Sequence, residues 1–155
     1  LTNQEPVRIG GFTVHLKKII ILSICLLLIS SFAIGQSTAE MYKEATRIFK
    51  SYRYDVDYTD FQIKTYEEDG HSILQLLVII KSGRNSFDRA LLVGFAASGA
   101  AIIKTGADID RVSVVVKVQY KEEVSIAATA DVGDVLKLFK DEMDASTFEG
   151  RLTWH

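Results

Sequence analysis

The sequence predicts an α+β domain: an antiparallel sheet of about four strands in two hairpins, a long buried helix across one face, and flanking N- and C-terminal helices. Three observations carry this expectation. Residues 58–80 and 111–128 each hold two apolar or alternating runs separated by a turn. Between them, Phe87 to Lys104 is apolar or small on every side, at a length that suits a helix. Helical spacing of apolar residues recurs before the first hairpin and after the second.

The chain opens on a segment that reads as an export signal rather than as part of the domain. Such signals have a basic start, an apolar core of roughly 7–15 residues and a small-residue cleavage site. Lys17-Lys18 supply the charge, Ile19 to Ile29 the core, and Ala33-x-Gly35 the small side chains. Cleavage is expected after Gly35, with Ala33 as second choice. The competing reading is an uncleaved membrane anchor, because no charge lies between Lys18 and Glu40. A spanning helix needs about 20 predominantly apolar residues, and the polar Gln36, Ser37 and Thr38 leave only 19–35 for it. Ile24 precedes Cys25 where lipoprotein processing requires a small residue, so lipidation is not expected. Leu1 to Leu16, with Pro6 and Gly10-Gly11, read as an extension upstream of a translation start near His15. Residues 1–35 are therefore set apart as N-terminal extension and signal peptide. Residues 36–155 form a single α+β domain, expected to be periplasmic or secreted.

Ser37-Thr38-Ala39-Glu40 has the form of a capping box. Met41, Ala45, Ile48, Phe49 and Tyr52 then follow at helical spacing, opposite Lys43, Glu44, Arg47 and Lys50. Tyr58 to Tyr66 alternates, Asp69-Gly70 signals a hairpin turn, and Ile73 to Ile80 is a nearly unbroken apolar strand. Such a run predicts a central strand buried on both faces. Asn85 or Ser86 can cap the long helix, Asp88 suits its first turn, and Gly106 can end it in the left-handed conformation. A helix apolar all round is expected to be buried, and Gly94, Ala97 and Gly99 allow close approach to its neighbours. Val112, Val114, Val116 and Val118 alternate with Arg111, Ser113, Lys117 and Gln119 to give a strand with one wet face. After a turn near Glu122, Val124, Ile126 and Ala128 continue the hairpin. Asp131 caps a helix carrying Val132, Val135, Leu136, Phe139 and Met143. A second capping box, Ser146-Thr147-Phe148-Glu149, precedes the tail Leu152 to His155.

This order resembles the roadblock and profilin-like group of folds, a likeness of architecture that carries no function. A second resemblance covers roughly residues 86–154. The small-residue helix, the phrase Ala107-Asp108-Ile109-Asp110-Arg111-Val112, the strand pair and the ending Asp144-Ala145-Ser146-Thr147-Phe148-Glu149 resemble small exported proteins of microbial genomes. The resemblance implies the fold and export, and it transfers no activity or functional residue.

Composition narrows the chemistry. Removing 1–35 takes the formal net charge from −2 to −4 and removes Cys25 and Pro6, each the only one of its kind. The remaining domain has no thiol chemistry and no disulfide, so its stability rests on its core. Its mild negative charge argues against nucleic acid, which selects clustered Lys and Arg.

No residue pattern identifies a catalytic, cofactor or metal site. Gly94-Phe95-Ala96-Ala97-Ser98-Gly99 lacks the Gly-x-Ser-x-Gly spacing of a nucleophile elbow, and Ser98 is expected to bond its own preceding turn. His71 has Glu67, Glu68 and Asp69 close in sequence, and a multi-histidine site in the domain could be built only with His155. Asp55, Asp57 and Asp60 lack the Gly and distal Glu of a calcium loop and read as a solvated connection. Asp141, Glu142, Asp144 and Glu149 stand beside Lys137, Lys140 and Arg151 and read as a paired surface rather than as hydrolytic carboxylates. What remains is shape. If helices cover one side of the sheet, the other must meet the first helix, a second copy, or an apolar ligand. The expectation is thus a non-enzymatic exported domain that binds an envelope protein or itself. The alternatives are a carrier with an apolar pocket between the long helix and the sheet, or an enzyme without a visible motif.

Overall fold

The computed structural model describes residues 38–81, 87–119 and 123–155. The proposed signal, the Ser37 cap, the Asn85 and Ser86 caps and the turn at Glu122 lie outside them. The first helix, α1, covers residues 38–51 and buries Met41, Ala45, Ile48 and Phe49. Tyr52, expected on that face, is 47% exposed. The helix has ended by then. Arg53 turns left-handed at φ 65°, its N–H donates to the Lys50 carbonyl, and the Tyr54 N–H donates to the Phe49 carbonyl. This is a Schellman ending, whose residue beyond the turn packs back on the last helical turn. Tyr54 does so, with its ring edge-on to Phe49 at 5.6 Å, and takes the place expected of Tyr52.

A 3₁₀ turn, Tyr58–Asp60, leads into β1 (Phe61–Glu68). Asp69 and Gly70 both have positive φ, 51° and 75°, and return the chain as β2 (His71–Ile80) through the expected two-residue hairpin. Helix α2 (Phe87–Thr105) ends at Gly106, whose φ of 66° lets its N–H reach the Ile102 carbonyl at 2.8 Å. Then come β3 (Arg111–Gln119), β4 (Glu123–Asp131), α3 (Val132–Phe139), α4 (Ala145–Glu149) and a two-residue β5 (Thr153–Trp154). Asp131 caps α3 through the Gly133 N–H. The cap of α4 is Asp144, which accepts from the Thr147 N–H and hydroxyl, not the Ser146 expected from the sequence.

The fold is α+β, with one mixed sheet of five strands in the order β1-β2-β3-β4-β5. Both expected hairpins are present, but β2 and β3 pair in parallel, with Leu74 opposite Val112 and Val78 opposite Val116. The reason is the crossover. A helix as long as α2 carries the chain back to the end of the sheet from which β2 started, so the next strand runs the same way. The fifth strand comes from the C-terminal tail, as Thr153 and Trp154 pair with Thr129 and Ala128.

Register divides the sheet into two faces. Phe61 and Ile63, Leu74 to Ile80 at even positions, Val112 to Val118 at even positions, and Ala128 and Ala130 lie on one face and are buried. Helix α2 packs on this face so tightly that a Cβ at Gly94 would stand 2.5 Å from Val114 Cγ1. On another side of α2, a Cβ at Gly99 would stand 3.0 Å from the Phe139 Cβ of α3. The helix is apolar all round because it is held between sheet and helix. Phe148 of α4 closes the core with its ring edge-on to Phe95 at 5.1 Å. No described helix is long and apolar enough to cross a membrane.

Candidate functional site

Strand β2 was expected to be buried on both faces, and it is not. Ile73 is buried, but Gln75, Leu77 and Ile79 are only partly so, because the helices pack on the opposite face. The open face can be read row by row from the register. Tyr66, Ile73, Arg111 and Asp131 form one row across β1 to β4. Lys64, Gln75, Ser113, Thr129 and Thr153 form the next, reaching β5. Gln62, Leu77, Val115 and Ala127 form the third, and Ile79, Lys117 and Ser125 the fourth. The aliphatic side chains Leu77, Val115 and Ala127 thus form one band, between a row of hydroxyl and amide groups and a row that holds Lys117 and Ser125.

At the end that holds Arg111 and Asp131 the face forms a trough of about 630 Å³. Gln75, Ser113 and Thr129 line it, the tail residues Arg151, Thr153 and His155 wall one side, and Tyr66 and Glu68 stand on the other. No residue of α1 to α4 contributes to the lining. The tail is fixed by two contacts. The His155 N–H donates to the Ala127 carbonyl at 3.0 Å, and its ring Nε2 lies 3.1 Å from Thr129 Oγ1. Arg151 pairs with Asp134 at 2.9 Å. Arg111 is exposed and makes no ion pair with any described residue. The nearest carboxylates along the chain and across the strand pair are engaged elsewhere: Asp110 accepts from the Ser72 N–H at 2.8 Å, and Asp131 from the Gly133 N–H at 2.9 Å.

A second concavity, of about 380 Å³, lies among the helices rather than between α2 and the sheet. Ile48 and Tyr52 of α1 and its end, Leu92 and Ala96 of α2, and Phe139 and Met143 around the end of α3 line it. The helix–sheet interface expected to hold an apolar pocket is instead in contact at Gly94 and Val114.

The residues weighed from the sequence do not converge. Ser98 is fully buried and its hydroxyl donates to the Gly94 carbonyl at 2.9 Å, as a mid-helix serine does. His71 Nδ1 lies 3.8 Å from Asp110, at the far end of β2 from the apolar row, and His155 sits on β4's side of the trough. Asp60 is not solvated as expected. It is 5% exposed, accepts from the Asp57 N–H at 2.9 Å, and meets Lys81 Nζ at 2.7 Å. The hydrogen bond from Lys81 holds its carboxyl below the usual carboxylate range, against the opposing effect of burial. Asp141 ends α3 in the left-handed conformation, Asp144 caps α4, and Asp134 rather than these takes both Lys137 and Arg151. Among the described residues no group of three or more His, Cys, Asp or Glu is placed to hold a metal ion. The buried Tyr54 hydroxyl has no hydrogen-bond partner, and burial pushes its phenol above the ordinary value.

Sequence reasoning read the wet side of β3 but missed the trough, because the trough depends on which strands neighbour β3. The alternation of Arg111, Ser113 and Lys117 was the available signal. The wall supplied by Arg151 to His155 had none, since a two-residue strand has no period. Comparison with protein-family models, curated proteins and solved structures found no match to this chain.

Proposed function

We propose that the chain is an exported, non-enzymatic binding domain of the cell envelope whose open sheet face receives its partner. The observation that carries this reading is the one-sided sheet: Leu77, Ile79, Val115 and Ala127 lie on the face opposite the one on which the described helix α2 packs. Antiparallel sheets often leave one face to water, but then that face is polar along its length. Here the aliphatic Leu77, Val115 and Ala127 lie beside the hydrogen-bonding row of the trough, the mix of anchor and polar rim that binding surfaces use. Export is supported by Lys17-Lys18, the run 19–34 and the small residues before Gln36. The mature domain would be periplasmic or secreted, and without cleavage 19–35 would tether it to the membrane. A photo-reactive side chain at Val115 tests the reading, with a partner adduct as the expected outcome.

A second reading rests on the groove among the helices, whose mostly apolar lining, interrupted by Arg89, Asp141 and Asp144, and volume of about 380 Å³ suit a small ligand with an apolar body. The same experiment separates the two. A carrier loaded in that groove leaves position 115 without an adduct.

A further inference from the structure

We propose that the trough on the open face binds a saccharide that carries a carboxylate, such as a short chain of uronic acids. The inference rests on the open face being a binding surface, and it adds the chemistry of the occupant. The trough holds one amide and three hydroxyls side by side, Gln75, Ser113, Thr129 and Thr153, with the apolar Ile73, Val115 and Ala127 in the rows to either side. Each of these groups can donate and accept a hydrogen bond. A polyhydroxylated ligand matches such a row group for group. An apolar helix laid on the same row would leave it unsatisfied at a cost of about 1–3 kcal/mol per buried polar group.

Arg111 stands in the adjoining row and has no ion pair among the described residues. A guanidinium offers paired N–H donors in the plane of a carboxylate, a geometry that Lys cannot reproduce. Tyr66, 38% exposed and next to Ile73 in the same row, lines the trough with an aromatic ring. The negative face of an aromatic ring suits the weakly positive C–H side of a sugar ring.

Charge selects further. Glu68 and Asp131 also border the trough, and Arg151 is tied to Asp134. A compact anion with two charges on one group, such as a phosphate monoester, would be repelled by those two carboxylates, whereas an oligouronate spreads its charges one to a sugar ring. A ligand with one carboxylate per sugar can place it on Arg111 and give its hydroxyl protons to Glu68 and Asp131. The volume of about 630 Å³ lies within the range of about 300–1,000 Å³ typical of small-molecule sites.

The test is a titration of the purified full chain with trigalacturonate and with an alginate trimer, each beside its methyl ester, followed by calorimetry. The ester keeps every hydroxyl and removes the charge. At least one acid should bind, its ester at least tenfold more weakly. Arg111→Ala should lower the affinity for the acid to that for the ester, and Arg111→Lys should restore it only in part. Arg111 is exposed, so its variants should melt as the parent does. No binding by either acid at millimolar concentration, or equal affinity for acid and ester, overturns the inference. If the acids fail while a photo-reactive group at Val115 still captures a partner, the open face remains a binding surface and only its saccharide chemistry falls.

Discussion

Asp60 shows how one side chain can be both buried and ionised. Its carboxylate leaves water at the foot of β1, and the exposed Lys81 covers it at 2.7 Å while the Asp57 N–H supplies a second donor. These bonds favour the charged form, so the folded-state pKa lies below the ordinary value. The sign of the linkage follows. The stabilisation is fully present above the unfolded pKa and is lost as pH falls through the lowered folded one. Asp60→Asn should therefore lower the urea midpoint at pH 7, and the difference from the parent should shrink steadily as pH is taken below about 4. An equal difference at pH 7 and pH 2 would show that the carboxylate's charge is not what Lys81 holds. Arg53 is a second informative position. It occupies the left-handed region at φ 65°, where a side chain costs roughly 1 kcal/mol and glycine costs least. Arg53→Gly is expected to raise stability by about 0.5–1 kcal/mol in denaturant unfolding, against the usual effect of adding glycine.

Among the elements, α2 decides the architecture. Its length sends the chain back across the sheet and makes the central strand pair parallel. Its two glycines fix how closely it lies on its neighbours. A methyl group at Gly94 would overlap Val114, which is itself fully buried and cannot swing aside. Gly94→Ala should destabilise by about 1–3 kcal/mol despite the better helix propensity of alanine. The partner mutation Val114→Ala should recover part of the loss, so a double-mutant cycle measured by urea unfolding should give a favourable coupling. Purely additive costs would place the strain elsewhere.

The long helix itself was legible from Phe87 to Lys104, since its composition leaves no polar side. Its burial was legible for the same reason. The parallel pairing was not, because local alternation says which residues share a face and nothing about which strand lies beside another. The helix α1 was legible to within its last turn, where the left-handed Arg53 exchanged Tyr52 for Tyr54. Left-handed arginine has no sequence signal, unlike Gly70 and Gly106.

On the scale of the whole molecule, asymmetry is the central property. The described helices carry their apolar side chains to one face of a five-stranded sheet, and Phe49, Phe95 and Phe148 fill that side. The opposite face ends as a row of hydroxyls beside a row of half-buried aliphatic residues. The sequence pointed to this choice between covered and uncovered faces but could not locate the surface, because the trough combines side chains from β1 to β5 that lie far apart along the chain. Nothing in the candidate site depends on a motif. It arises from register, which is why the fold was more readable than the site.

The most direct measurement is photo-cross-linking in the native cells from two positions of the full chain: Val115 on the open face, and Ile103, which is 48% exposed on α2. The account predicts a discrete adduct from position 115 and none from position 103. An adduct from position 103 alone, or none from either, would contradict the claim that the open sheet face is where this domain meets its partner.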